Sequence, residues 1–269
     1  MTDAVIRGCR LAYDIIEAAD DATTATPMVW THGLSSSRAD DAELPLVDLE
    51  RVATGRPVLR YDARGHGLSG DLTDPADGAW AEMAHDLIGL VDHAGYDRVV
   101  LAGASMGTAT SLHAALHLGA RVEKLVLVIP PTGWETRRDQ IDAYLQMAAI
   151  LDHRGVEPLI TGMAAVDPPD PFRGDDAWRT KRTTALRRAD PERLAAVFRG
   201  AAVADLPDPE ALQRIEAPTL ILAWSGDPGH PVSTAERLGE LLPHAEVVVS
   251  STATELASWT DRTRAFLDG

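Results

Sequence analysis

Apolar positions along the chain follow two alternating rhythms. Short runs dominated by Val, Leu, Ile and Trp recur at residues 28–30, 57–60, 98–102 and 125–129, and such runs predict buried strands. Between them, residues 80–95 (WAEMAHDLIGLVDHAG) carry apolar side chains at helical spacing and end on a glycine, a signal for a helix C-terminus. Val5-Ile6 and residues 11–16 flank the turn Arg7-Gly8-Cys9, which predicts an opening hairpin. Toward the end come a strand at 219–224, a helix at 232–242, a strand at 245–249 and a last helix reaching Leu267. Strands alternating with helices predict the α/β class, with a mostly parallel sheet.

Residues 131–214 break the alternation. No strand pattern stands out there, and helical stretches are punctuated by Asp167-Pro-Pro-Asp-Pro and Leu206-Pro-Asp-Pro. This predicts a core made of 1–130 and 215–269, with 131–214 inserted as a helical cap before the last two strands. The expected place for such a lid is the C-terminal edge of the sheet, where ligands of open α/β folds bind.

The clearest chemical signal is LAGASMGTAT, residues 101–110. An apolar strand runs into Gly103-Ala-Ser105-Met-Gly107 and then into an Ala/Leu-rich helix, the G-x-S-x-G pattern of a nucleophile elbow. Glycines flank the serine because the turn brings backbone so close that a Cβ would obstruct it.

Five segments in order, VWTHGLSSS, RYDARGHGLSG, LAGASMG, RVEKLVLVIPP and APTLILAWSGDPGHP, resemble the α/β-hydrolase superfamily, in particular its capped esterase and lactonase-like members. The resemblance covers nearly all of the chain outside 131–214. It implies a mostly parallel sheet of about eight strands flanked by helices. It also implies a serine-dependent hydrolase of small, largely apolar carboxylic esters or lactones. Ser105 would be the nucleophile, the backbone amides of Leu34 and Met106 the oxyanion hole, and Asp227 the acid of the triad. Asp227 has a competing reading as a turn-capping aspartate before the 232–242 helix.

One element of the family pattern is absent. The resemblance places the base after the last strand, yet no histidine follows His244 in the sequence. His32 and His66 sit in loops where the family carries structural histidines. His113 and His117 lie about 12 and 18 Å along the elbow helix, too far to share the serine proton. His85 and His93 fall on the helix before the elbow, and His244 at the opposite edge of the sheet. Two candidates remain: His230, three residues after Asp227 and expected at the same edge as Ser105, which is taken as the base, and His153 in the lid, which could fold down over it. A serine lacking a base keeps only the help of the oxyanion hole and of binding. A non-hydrolytic lyase or cyclase, or a ligand-binding protein using the pocket under the cap, therefore stands as the alternative.

Composition narrows the partners. A net charge of −16 argues against sequence-independent binding to nucleic acid or anionic lipid. Cys9 is the single cysteine, so neither an internal disulfide nor a Cys-based metal cluster is expected. With no secretory leader pattern and no membrane-length apolar run, the expectation is a cytoplasmic protein. It would act on a small molecule without metal or organic cofactor. Trp134, Tyr144, Met147 and Trp178 are candidates to line the pocket. The stretch 170–199 carries eight basic residues against five acidic ones; these read as a solvated mixed-charge face or as an attraction for an anionic substrate.

Overall fold

A computed structural model of the chain describes residues 2–19 and 24–269. Its strands are β1 (Thr2–Ile6), β2 (Cys9–Ile16), β3 (Met28–Thr31), β4 (Val58–Tyr61), β5 (Val99–Ala104), β6 (Val122–Val128), β7 (Thr219–Trp224) and β8 (Ala245–Ser250). They form one eight-stranded sheet in the order β1-β2-β4-β3-β5-β6-β7-β8. β2 pairs antiparallel with β1 and with β4, and every other pairing is parallel.

Side chains of a strand alternate between the two faces of its sheet, and β5 shows why its run is apolar throughout. Val99 and Leu101 enter the core on one face, under the helices Trp80–His93, Met106–Leu118 and Val232–Leu241. Val100, Ala102 and Ala104 enter the core on the other, with Trp259 and Leu267 of the final helix Trp259–Asp268. In β7 the same alternation sends Ile221 and Ala223 one way and Leu220, Leu222 and Trp224 the other. Trp224 therefore ends its strand beside the fully buried Trp259, with the two rings stacked 6.1 Å apart.

Two short helices, Arg38–Glu43 and Leu49–Ala53, fall between β3 and β4, where the hydrophobic pattern predicts none. Each is started by a side-chain cap, Ser37 and Asp48 respectively, whose oxygen accepts an amide of the first turn. The final stretch is two helices rather than one, Ala253–Ala257 and Trp259–Asp268.

Between β6 and β7 the regular elements are helices, chief among them Arg137–Arg154, Glu157–Ala164, Asp176–Arg188 and Pro191–Ala202. They have a core of their own around Leu151, Ile160, Leu186, Leu194 and Phe198. The segment is fastened where strands end. Arg193 donates to the carbonyls of Gly67 and Ser69 in the loop after β4, and Asp170 meets Ser225 directly after β7. At its root the buried Arg137 donates to the carbonyls of Ala201 and Ala204 and lies 4.1 Å from the Trp80 ring centre.

Candidate active site

Ser105 stands between β5 and the helix Met106–Leu118 with φ 51° and ψ −110°. A positive φ costs a non-glycine residue on the order of 1–3 kcal/mol and persists only when its surroundings enforce it. Here they do. The Ser105 amide donates to Val128 O at the end of β6, and the amides of Thr108 and Ala109 donate to Ser105 O. The Thr108 hydroxyl lies 3.1 Å from both the Gly103 and the Val128 carbonyl oxygens. Both flanking glycines are sterically required: a Cβ on Gly103 would fall 2.7 Å from the Gly107 backbone, and one on Gly107 would overlap the Thr31 carbonyl.

The loop after β3 reaches the serine from the other side. Gly33 is so close that a Cβ there would lie 3.6 Å from the Ser105 Cβ. Leu34 follows it and packs between the sheet core and the core of the inserted helices. His32 holds this loop: its Nδ1–H donates to Gly33 O, and its Nε2 accepts the Ala63 amide at 3.0 Å. Asp62 ties in the following segment by accepting the amides of Arg38 and Leu68, each at 2.9 Å, and an Arg38 guanidinium N–H at 3.2 Å. Burial works against its charge, and those hydrogen bonds outweigh burial, so its carboxyl lies below the usual aspartate value. Met106, with its amide in the first turn of the elbow helix, lacks an intrahelical acceptor there by geometry.

The loop after β7 brings Asp227 and a histidine together. Asp227, Pro228, Gly229 and His230 form one turn, closed by the His230 amide donating to Asp227 O at 3.1 Å. Asp227 Oδ1 accepts the Gly229 amide at 2.9 Å. Its Oδ2 accepts both the Trp224 indole N–H at 3.0 Å and the His230 Nδ1–H at 2.7 Å. Thus Asp227 braces its turn and engages the histidine at once, one oxygen for each task. Burial opposes the carboxylate charge; the hydrogen bonds and the charge interaction with His230 outweigh it, and the Asp227 pKa is strongly depressed. With Nδ1 donating to the carboxylate, Nε2 is the acceptor, and the Ser105 hydroxyl donates to it at 2.8 Å.

His153 is exposed on the helix Arg137–Arg154 and is not the residue that meets Ser105. Where the family resemblance places a base, the chain turns quickly into a helix instead. Thr252 and Glu255 form a capping box at residue 253, and Trp259 fills the space beside Trp224 while donating to Ser250 Oγ. His66 is buried beside His32, with its Nδ1–H donating to Arg64 O; burial, reinforced by His32, lowers its pKa to about 3.

The four pocket candidates have different surroundings. Trp178 stacks on Phe172 at 4.5 Å, Phe172 meets Trp224 edge-on at 5.5 Å, and Trp224 meets His230 edge-on at 6.0 Å. Tyr144 stacks on Phe198, and with Met147 it packs on the inserted core that Leu34 also touches. Trp134 is held at the root of the insertion, its amide donating to Asp205 Oδ1 and its indole N–H to Pro207 O. A cavity of about 770 Å³ starts at Ser35 and continues past Arg38, His66, Ala185 and Arg188; none of the four candidates lines it. Trp224 and Phe172 escaped the sequence reading. The signal for Trp224 was available, an aromatic ending an apolar run three residues before Asp227.

Among the described residues no group of three or more His, Cys, Asp or Glu side chains is arranged to hold a metal ion, and no helix is long and apolar enough to cross a membrane.

The family model described as "Alpha/beta hydrolase family" matches residues 28–256. The chain belongs to that family. An alpha/beta hydrolase similar to it is the sn-1-specific diacylglycerol lipase of Mus musculus, 36% identical over 132 residues, which are 49% of this chain and 40% of the mouse protein. The match to the corresponding lipase of Danio rerio likewise spans 40% of the fish protein. The 3-oxoadipate enol-lactonase 2 of Acinetobacter baylyi is 26% identical, with coverage of 71% of this chain and 69% of its own. Among solved alpha/beta hydrolase-fold structures, the enol-lactonase from Burkholderia xenovorans LB400 superposes with a TM-score of 0.80 at 20% identity, covering 99% of this chain and 97% of that one. At that identity the likeness speaks for the fold.

Proposed function

We propose that this chain is a serine-dependent hydrolase of small, largely apolar carboxylic esters or lactones. Ser105 is the nucleophile, His230 the base and Asp227 the acid, and the segment 131–214 acts as a cap over them. One observation carries the reading: the continuous relay from the Ser105 hydroxyl to His230 Nε2 at 2.8 Å and from His230 Nδ1 to Asp227 Oδ2 at 2.7 Å. The names of the relatives, among them lipase, enol-lactonase and carbamate hydrolase, support hydrolysis as the reaction class.

The steps follow from the geometry. As Ser105 Oγ attacks the substrate carbonyl, His230 Nε2 takes its proton, and Asp227 holds the resulting imidazolium in place. The amides of Leu34 and Met106 receive the charge that develops on the carbonyl oxygen, a contribution that single-donor deletions in such holes put at about 10²–10³ in rate. His230 then returns the proton to the departing alcohol, and water, deprotonated by the same histidine, releases the acid from Ser105.

Base and acid here come from one turn rather than two loops. The pair is preassembled locally, and the protein needs only to aim that turn at the elbow. General-base help is worth about 10²–10⁴-fold, so His230→Ala should cost at least about 10²-fold in ester turnover, and Asp227→Asn a comparable amount. Labelling by a fluorophosphonate probe should occur in the parent and vanish in Ser105→Ala. Turnover by His230→Ala at the parental rate would remove His230 from the mechanism. An unlabelled parent that still binds ligands would favour the non-hydrolytic alternative.

A further inference from the structure

The helix Asp176–Arg188 carries residues that lead toward both loops of the site. Trp178, Arg182 and Ala185 lie four and three residues apart, so at 100° per residue they share one face. Trp178 leads through Phe172 and Trp224 to His230. Ala185 lines the cavity that opens at Ser35, the residue after Leu34. Arg182 sits between them, about 6 Å along the axis from Trp178 and about 4.5 Å from Ala185, with its guanidinium 5.6 Å from the Trp178 ring centre.

Its neighbours in the basic stretch are satisfied. Arg173, Arg187, Arg188, Arg193 and Arg199 each pair with a carboxylate, of Asp170, Glu157, Glu43, Asp71 and Asp152 respectively. Arg179 donates to the carbonyls of Met163, Ala164 and Val166, and Lys181 to Glu43 O. Among the described residues Arg182 has neither a carboxylate nor a carbonyl partner, and it lies over the Trp178 ring. Arg182 is exposed to solvent, yet the surrounding protein pushes its pKa below the usual arginine value, and the Asp227 carboxylate acts in the opposite direction. Asp227 makes neither a hydrogen bond nor an ion pair with Arg182; the carboxylate instead meets Gly229, Trp224 and His230. The planar guanidinium thus retains its fork of donors on the helix face that also carries Trp178 and Ala185, a geometry matched to a carboxylate.

We propose that Arg182 selects substrates that carry a carboxylate, pairing with it while the ester or lactone carbonyl lies against Ser105. This rests on the ester-hydrolase reading and sharpens its substrate class from apolar esters to esters with one anionic end.

Two matched pairs test it: monoethyl glutarate against ethyl pentanoate, with the charge on the acyl side, and 4-acetoxybutanoate against butyl acetate, with the charge on the alcohol side. In each pair a carboxylate replaces a methyl group. The parent should favour the anionic member of at least one pair by tenfold or more in kcat/KM. Arg182→Gln should erase at least tenfold of that preference, and Arg182→Lys should restore part of it. Equal or inverted preference in both pairs overturns the proposal, as does an Arg182→Gln variant that lowers both members alike. The same four compounds are also titrated into Ser105→Ala, with and without Arg182→Gln, where no chemistry intervenes. A binding preference that depends on Arg182 while the parent hydrolyses nothing would sink the hydrolase reading and leave the anion site standing. Normal hydrolysis without preference would do the reverse.

Discussion

Gly107→Ala tests whether the elbow and the loop after β3 form one packed unit. The added Cβ overlaps the Thr31 carbonyl oxygen and lies 2.7 Å from its carbon and 3.0 Å from the carbonyl oxygen of His32. Carbon atoms normally rest about 3.5–4.0 Å apart, so something must move by close to 1 Å. Every atom met is backbone, at the end of β3 and in the following loop, and no side chain can rotate away. Overpacking costs about 1–3 kcal/mol where side chains can adjust, and this site belongs at or beyond the upper end. The gain in helix propensity from replacing glycine, up to about 1 kcal/mol, only partly offsets it. A net loss of roughly 2–3 kcal/mol corresponds to a fall in Tm of about 4–12 °C for a chain of this size. Because the displaced backbone leads into Gly33 and Leu34, activity should suffer beyond stability: a 1 Å misplacement of catalytic groups can cost about 10²-fold. Urea unfolding and ester kinetics on the same preparation measure both effects. Gly162→Ala is the control. It lies in the helix Glu157–Ala164 with nothing within 4 Å of the new Cβ, and should stabilise by up to about 1 kcal/mol. A Gly107→Ala protein that unfolds within about 0.5 kcal/mol of the parent and keeps its turnover would refute the packing argument.

Trp224→Phe removes the indole N–H from Asp227 Oδ2 while keeping a ring against Phe172 and Trp259. On the proposed mechanism Trp224 positions Asp227, so kcat should fall about tenfold with little change in KM; an unchanged kcat, or a loss as large as that of His230→Ala, would show the assignment to be wrong. His66 makes acid destabilising. Its folded pKa of about 3 lies below the ordinary 6.5, so the unfolded chain binds more protons between those values, and stability is lost as pH falls through that window. At pH 5 the loss from this residue is about 2 kcal/mol. Denaturation at pH 8 and pH 5 should therefore show a drop in the parent that exceeds the drop in His66→Gln by about that amount, and parallel losses in the two proteins would contradict it.

The sheet was legible because its determinants are local and periodic. Apolar runs flanked by turns mark strands whose both faces are covered, and the Gly-x-Ser-x-Gly spacing marks a turn whose geometry only glycine neighbours permit. The helices Arg38–Glu43 and Leu49–Ala53 were not legible: they are short and depend on the single caps Ser37 and Asp48 rather than on periodicity. The candidate base was legible as His230, from its place three residues after Asp227, with His153 as the other candidate.

That choice belongs to tertiary structure. Asp227 and His230 are neighbours along one turn, and their pairing follows from sequence proximity. Ser105 is 125 residues away, and only the parallel register of β5, β6 and β7 sets both loops at the same edge. Trp259 completes the arrangement by stacking on Trp224, whose indole holds Asp227. Arg182 follows the same logic. In the sequence it is one of eight basic residues in a mixed-charge stretch. Folding brings carboxylates to several of its neighbours and leaves Arg182 over the Trp178 ring without one. Periodicity and spacing act over a few residues and are written in the chain; the partner of a charged or hydrogen-bonding group is decided by which distant segments the sheet and its insertion bring into contact.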